Sequence, residues 1–166
     1  MIAYKFLASD GSTAFSAFRW PLPDGEPGAW VEAPVEPCRS GVHACRRGDL
    51  PYWAGQTLYE IELDGPVVEE TTKVVGGRGR LLRRVSAWED GVAVAYTRWC
   101  ADRAHEIVRA DARLAPWGAD IEPSVADGPA LLGFMAAAIA EEWGGVEAYH
   151  AERARQASWL GEQLGL

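Results

Sequence analysis

The densest group of chemically versatile side chains lies in the first third of the chain, where Cys38, His43 and Cys45 stand close together. Thiolate and imidazole groups bind zinc, and Cys100 or His105 could complete such a site from a distance. The spacing differs from the usual zinc patterns, and free cysteines commonly fill small spaces in a core. The pattern therefore favours buried cysteines over a zinc centre.

His43 could also act without a metal, because it lies in a predicted strand shortly before Tyr52 and Trp53. A histidine that lines a cleft can donate a proton or orient a ligand. In a structural histidine, by contrast, backbone groups satisfy both ring nitrogens. General residue usage favours the structural role. His105 and His150 lie on predicted helices, where surface roles suffice.

Carboxylates that could serve as an acid or a base are concentrated in one segment: Glu60, Glu62, Asp64, Glu69 and Glu70. Glu60 and Glu62 are two residues apart, so they share one face of a strand. The segment that follows carries four arginines: Arg78, Arg80, Arg83 and Arg84. Opposite charges on neighbouring strands stabilise each other. We therefore expect ion pairs between these two segments, with the carboxylates on a solvated face.

The elements that must position these residues change character near Trp88. Before it, glycine and proline breaks separate short stretches rich in aromatic and β-branched residues, which is typical of strands. A single helical turn is predicted at residues 49–53. The predicted strands cover residues 2–7, 13–20, 29–33, 41–45, 57–64, 67–75 and 80–86.

After Trp88 apolar residues recur every three or four positions, which predicts amphipathic helices. The first has its apolar positions between Val92 and Val108 and is ended by Pro116. The second begins at a cap formed by residues 124–127 and ends at Gly144 and Gly145. The third covers residues 146–164. Its predicted packing stripe consists of Val146, Tyr149, Arg153, Ala157, Leu160 and Leu164.

Composition limits the class of protein. The chain has 166 residues, of which 48% are hydrophobic and 24% charged, so it can bury a core and is not a disordered tract. Its net charge of −8 disfavours binding to nucleic acid, which rests on neutralised phosphates. No apolar run reaches the ~20 residues of a membrane helix, and no export leader is evident. We expect a cytoplasmic protein with three free thiols that does not contact a membrane. Its composition is compatible with the formation of oligomers.

Together these patterns predict an α+β fold with two parts, residues 1–88 and residues 89–166. The first is mostly β, and the second consists of three helices. Counting charged residues gives ten basic and eleven acidic for the first part, hence −1. The second has six basic and thirteen acidic residues, hence −7. An acidic helical half could present a surface to a partner.

Residues 1–88 resemble an uncharacterised family of phage and bacterial proteins that share a Gly-x-His strand, a short helix and a strand ending in glycine. The matching segments are Cys38-x-x-Gly-Val-His-Ala-Cys45, Tyr52-Trp53, Leu58-Tyr-Glu-Ile-Glu-Leu-Asp-Gly65, Lys73-Val-Val and Arg80-Leu-Leu-Arg-Arg-Val85. The resemblance names no activity. It is compatible with an accessory role in conflicts between phage and host.

The order of elements is also similar to small ADP-ribosyltransferases of the rifamycin-modifying type. Gln56-Thr-Leu-Tyr-Glu-Ile-Glu-Leu-Asp-Gly-Pro66 and the segment from Arg80 to Trp88 carry this similarity. It implies that residues 1–88 fold as two small facing sheets with NAD held in the cleft between them. The three C-terminal helices have no counterpart in that enzyme.

The similarity also implies roles for particular residues. Tyr4 and Lys5 would stand at the first cofactor-binding motif, with Tyr52 and Trp53 beside the nucleotide. His43 would take the catalytic position of an aromatic residue, and Glu69 or Glu70 would supply the acid that steadies an oxocarbenium-like centre. Lys5 replaces the usual Arg or His, and His43 replaces a Tyr.

Two classes of function follow. The first is an ADP-ribosyltransferase-like protein that binds NAD and modifies a small-molecule or protein acceptor. The second is an interaction module without catalysis, in which the acidic helical half binds a partner. A small metalloenzyme built on Cys38, His43 and Cys45 is a third, minor alternative.

Overall fold

The computed structural model describes residues 1–14, 16–88, 90–119, 121 and 128–166. The chain divides into two compact units, Met1–Trp88 and Glu89–Leu166. The boundary lies where the composition of the sequence changes. The first unit contains the strands, and the second is helical. The predicted combination of an N-terminal sheet with C-terminal helices is confirmed.

Five strands form one antiparallel sheet in the first unit, here called the β unit. Their order is β1-β4-β5-β2, and β3 also pairs with β5. The bounds are Ile2–Leu7 for β1, Val31–Glu32 for β2, Val42–Ala44 for β3, Thr57–Glu69 for β4 and Val74–Arg84 for β5.

A backbone pair closes this sheet on itself. Tyr4 in β1 pairs with Glu60 on one side and with Cys45, the residue after β3, on the other. Two hydrogen bonds of 2.8 Å join the amides and carbonyls of Tyr4 and Cys45. Because β3 pairs with β5 and β5 with β4, the four strands form a ring. Two facing sheets were expected. The described residues instead form one sheet that curves round so that its strands face each other across the core.

The core of the β unit consists of the side chains that point into this ring: Ala3, Leu7, Trp20, Val42, Ala44, Tyr59, Ile61, Leu63, Val74 and Leu81. The alternation predicted for residues 58–63 is confirmed, since Ile61 and Leu63 are buried while Glu60 and Glu62 lie on the other face. The alternation of side chains along the strand therefore determines which of them point into the core.

The predicted break at Gly65 and Pro66 is wrong, because β4 runs through it as one long strand. The register shifts between Asp64 and Val67, and Gly65 has a φ of 75°. A bulge of this kind absorbs extra residues while the pairing continues on both sides. Gly79, inside β5, is needed for close packing, since a Cβ there would lie 2.7 Å from Val42.

Residues 13–20 were predicted as a strand, but their described residues hold only an isolated bridge between Ser12 and Arg19. Residue 15 lies outside the described residues. The predicted helical turn is confirmed as α1, Leu50–Trp53, which follows a short 3-10 turn at Arg47–Asp49.

The second unit, here called the helical unit, contains α2 at Asp90–Ala110, α3 at Ala115–Gly118 and α4 at Pro129–Leu164, with a 3-10 turn at Ala112–Leu114. The predicted cap at residues 124–127 lies outside the described residues. Helix α4 is broken at Gly145, whose φ of 75° and ψ of −173° are not helical. This confirms the predicted division at Gly144 and Gly145.

Gln156 ties the two halves of α4 to each other and to α2. Its amide nitrogen donates to the carbonyl oxygen of Gly133 at 2.8 Å, and its amide oxygen accepts from Arg153 at 3.0 Å and from the Tyr96 hydroxyl at 3.3 Å. Gln156 is completely buried. Because the carbonyl of residue 133 meets residue 156, the two halves of α4 form a hairpin that turns at Gly145.

Among the described helices, none combines the length and the apolar character that crossing a membrane requires.

The backbone at Gly145 predicts a stability effect. Its φ and ψ lie in a region that only glycine adopts readily. We expect Gly145→Ala to lower the free energy of unfolding by about 1–3 kcal/mol, measured by urea titration of the helical circular dichroism signal. Gly91→Ala is the matched control, because Gly91 lies in α2 with open space around it. An equal loss in both variants would contradict this reading.

Candidate functional site

Lys5 points into the ring of strands. It lies in β1 between Ala3 and Leu7 on the buried face, and the whole residue is only 9% exposed. Its ammonium donates a hydrogen bond to the carbonyl oxygen of His43 at 2.5 Å and lies 4.9 Å from the centre of the Trp20 ring. The closed sheet therefore holds a cation in its interior, between a backbone carbonyl and an indole face.

Burial lowers the pKa of Lys5 to about 8, from an ordinary value of 10.5. An ammonium group carries three donors, and a low-polarity interior disfavours its charge. The indole nitrogen of Trp20, which faces the same core, is buried without a hydrogen-bond partner. The interior of the ring thus contains polar groups that the protein satisfies only in part.

His43 meets Lys5 through its main chain. In β3 its neighbours Val42 and Ala44 point into the core, so the imidazole lies on the opposite face. Its Nε2 atom is buried without a partner. Burial, and then the charges of Lys73 and Lys5, hold the pKa of His43 below its ordinary value, against a hydrogen bond to the Gly41 backbone. The imidazole is therefore neutral at neutral pH, and the residue is half-buried.

The carboxylates are engaged by arginines. Glu62 pairs with Arg80 at 2.8 Å and Glu60 with Arg83 at 2.5 Å, which confirms the predicted ion pairs across β4 and β5. Glu69 pairs with Arg46 at 2.9 Å. These three carboxylates are therefore engaged in ion pairs within the β unit.

Arg46 organises the turn that connects β4 to β5. Its guanidinium also contacts Asp49 at 2.6 Å and donates to the carbonyl oxygens of Glu70 at 2.7 Å and Thr71 at 3.0 Å. The indole nitrogen of Trp53 donates to the carbonyl oxygen of Thr72 at 2.6 Å. Trp53 and Arg46 therefore hold the turn in place by hydrogen bonds to its backbone carbonyl groups.

The residues predicted to bind a nucleotide fall into two groups. The Lys5 ammonium meets the main chain of His43 inside the ring, whereas Trp53, Glu69 and Glu70 surround the turn between β4 and β5. Tyr4 and Tyr52 are both half-buried. Burial and the charge of Glu60 raise the pKa of Tyr4.

The thiols near His43 are separated from each other. Cys45 is buried, and burial raises its pKa to about 12, while Cys38 is exposed and accepts a hydrogen bond from the Lys73 ammonium at 3.1 Å. Cys38 has a φ of 65°, which is rare for a residue other than glycine. Across the described residues, no set of three or more histidine, cysteine or acidic side chains is arranged around a common metal position.

A surface that the sequence reasoning missed lies where the two halves of α4 meet. Every residue from 141 to 147 is exposed, and Trp143 and Val146 are 52% and 54% exposed. Val146 had been predicted to begin a packing stripe, but burial on that stripe starts only at Arg153. We define the tip surface as Glu141, Glu142, Trp143, Val146 and Glu147.

The sequence contains two features that together indicate the tip surface. Two apolar side chains flank Gly144 and Gly145, and three glutamates surround them. Val146 was expected in the core because it fits the helical spacing of the predicted packing stripe. The break at Gly145 shows why it is not, since the chain reverses before the second helix reaches its packing partners.

An open depression of about 350 Å³ lies on the β unit and is lined by Glu32, Ala33, Pro34 and Gly77. None of the predicted site residues lines it.

No protein-family model, curated protein or solved structure matches this chain.

Lys5 makes stability depend on pH. Between its folded pKa of about 8 and its ordinary pKa of 10.5, the unfolded chain binds more protons than the folded chain. The contribution of Lys5 to stability is therefore lowest below pH 8 and rises through this window. We expect the free energy of unfolding of the wild type, relative to Lys5→Met, to increase by about 2 kcal/mol between pH 7 and pH 10.

Urea titrations at several pH values measure this difference. Subtracting the variant removes the opposing contributions of buried thiols such as Cys45, which lose stability above their ordinary pKa. Lys73→Met, which changes the other lysine of the chain, is the matched control. An equal effect from both variants would show that the position of Lys5 inside the ring has no special influence.

Proposed function

We propose that this protein is a partner-binding module and that its helical unit provides the docking surface. The observation that supports this most directly is the exposure of Trp143 and Val146, which flank Gly144 and Gly145 at the turn of α4. Single exposed apolar residues are normal on protein surfaces, whereas adjacent ones mark interaction sites. Tryptophan is also the side chain that most often dominates binding energy in interfaces.

The charges of the two units support the same proposal. In the β unit the acidic side chains of β4 are matched by arginines, as in Glu62 with Arg80 of β5 and Glu69 with Arg46. In the helical unit, Glu141, Glu142 and Glu147 make no ion pair with any described residue. Unpaired charge beside exposed apolar groups is the chemistry that a partner would complement.

The catalytic alternative has less support from the geometry. Lys5 is enclosed by the ring, the imidazole nitrogen of His43 has no access to solvent, and Glu69 is held by Arg46. An ADP-ribosyltransferase needs these groups open to NAD and to an acceptor. One observation still favours a ligand near them, since Trp20 and His43 carry buried polar nitrogens without a protein partner.

Binding of NAD is therefore the second candidate. If NAD binds beside Lys5 and His43, the melting temperature should rise with NAD concentration, because saturation to a hundred times the dissociation constant adds ~2.7 kcal/mol of stability. Lys5→Met should lose that rise, while Lys73→Met should keep it. A melting temperature that does not change at millimolar NAD overturns this candidate.

Partner binding predicts that peptides can be selected on the tip surface. We expect a displayed library of random peptides, selected on the immobilised protein, to yield clones whose binding falls at least about tenfold in Trp143→Ser. Trp117→Ser is the matched control, since Trp117 is 44% exposed elsewhere in the helical unit. Clones that bind both variants equally, or no enriched clones at all, would contradict the proposal.

A further inference from the structure

The strongest feature outside the roles assigned above is the group of unpaired carboxylates beside the exposed apolar side chains of the tip surface. No lysine or arginine stands in the sequence between Arg113 and Arg153. Within that stretch, Glu141, Glu142 and Glu147 are exposed and lack ion pairs among the described residues. The two apolar side chains of the tip surface are therefore flanked along the chain by three carboxylates that make no ion pair with a described residue.

The geometry of the turn keeps these groups together. Trp143 ends the first half of α4 and Val146 begins the second, separated only by Gly144 and Gly145. A Cβ on Gly144 would lie 2.9 Å from the Cβ of Ala148, so the absence of a side chain lets the two halves approach closely here. The surface is thus built on helix ends, which hold its side chains in fixed directions.

Such a surface discriminates between partners by charge. An acidic partner, a nucleic acid or an anionic lipid bilayer would be repelled by the three glutamates. A second copy of this chain meets the same obstacle, because its tip surface carries the same charges. A cationic segment gains from both the glutamates and the burial of the tryptophan.

We propose that the tip surface binds a cationic protein segment that carries an apolar side chain, such as one face of a Lys/Arg-rich amphipathic helix. The apolar side chain packs on Trp143 and Val146, and the flanking basic groups lie against Glu141, Glu142 and Glu147. This inference rests on the proposed partner-binding function and adds the chemistry of the partner to it.

Three synthetic peptides of about 15 residues test the chemistry. The first places leucines on one helical face and lysines on the other, the second replaces every lysine by glutamate, and the third replaces every leucine by glycine. We expect only the first to bind, as measured by isothermal titration calorimetry. Its affinity should fall about tenfold in Trp143→Ala and about tenfold in Glu141→Gln/Glu142→Gln/Glu147→Gln at low salt.

Salt and matched variants separate specific binding from general attraction to an acidic protein. The loss of peptide affinity caused by the glutamate variant should become smaller at high salt, because salt screens the charges. The loss of affinity caused by Trp143→Ala should remain the same. Trp117→Ala and Asp24→Asn/Glu26→Gln/Glu162→Gln make equivalent changes on exposed residues elsewhere. These controls should leave the affinity unchanged.

Each outcome decides between the two proposals. Binding of the first peptide that depends on Trp143 and on the three glutamates supports the inference. If the first peptide does not bind, or binds the controls and the tip variants alike, the cationic partner is overturned. The proposed function still stands in that case if library peptides of another composition depend on Trp143, and it falls with the inference if none does. Dimerisation that depends on Trp143 would instead identify a second copy as the occupant.

Discussion

The pairing of Tyr4 with Cys45 is the constraint on which the β unit depends. It gives β1 a second neighbour at Tyr4, on the edge opposite β4, and so closes the ring of strands there. It also fixes the register, because a shift by one residue would turn Ala3, Lys5 and Leu7 outwards and bring Tyr4 inside. The interior position of Lys5 is a consequence of that closure, and the carbonyl of His43 lies where it can accept from the ammonium.

A comparable constraint in the helical unit is the set of hydrogen bonds made by Gln156. A buried amide is costly unless its donors and acceptors are used, and Gln156 uses both against Gly133, Arg153 and Tyr96. These contacts hold the two halves of α4 side by side. The hairpin must then turn at Gly145, and the residues beside the turn are left outside the packed part of the unit.

The sequence was informative where local physics decides the outcome. The alternation of Leu58 to Leu63, the helical turn before Trp53 and the break at Gly145 follow from strand period, local spacing and the conformational freedom of glycine. The ion pair of Glu62 with Arg80 likewise followed from charges on neighbouring strands. These features involve residues that are close in sequence or in adjacent elements.

The sequence was less informative where the structure depends on contacts between residues that are far apart along the chain. Nothing local shows that Lys5 is enclosed, because this depends on Cys45 reaching β1 from forty residues away. The strand break expected at Pro66 failed because a bulge kept β4 and β5 paired on both sides of it. Val146 fits the helical period of its neighbours, and only the reversal at Gly145 takes it out of the core.

The two units differ in how completely they satisfy their own charges, and this difference bears on where function lies. The β unit pairs the acidic side chains of Glu60 and Glu62 with arginines and buries Lys5 in its interior. The helical unit satisfies its buried polar groups through Gln156 but leaves glutamates and a tryptophan unpaired at the turn. Binding energy is available only where groups remain unsatisfied in the free protein, since a contact already made within the chain cannot be gained again. This difference supports the proposal that recognition involves the helical hairpin rather than the β unit.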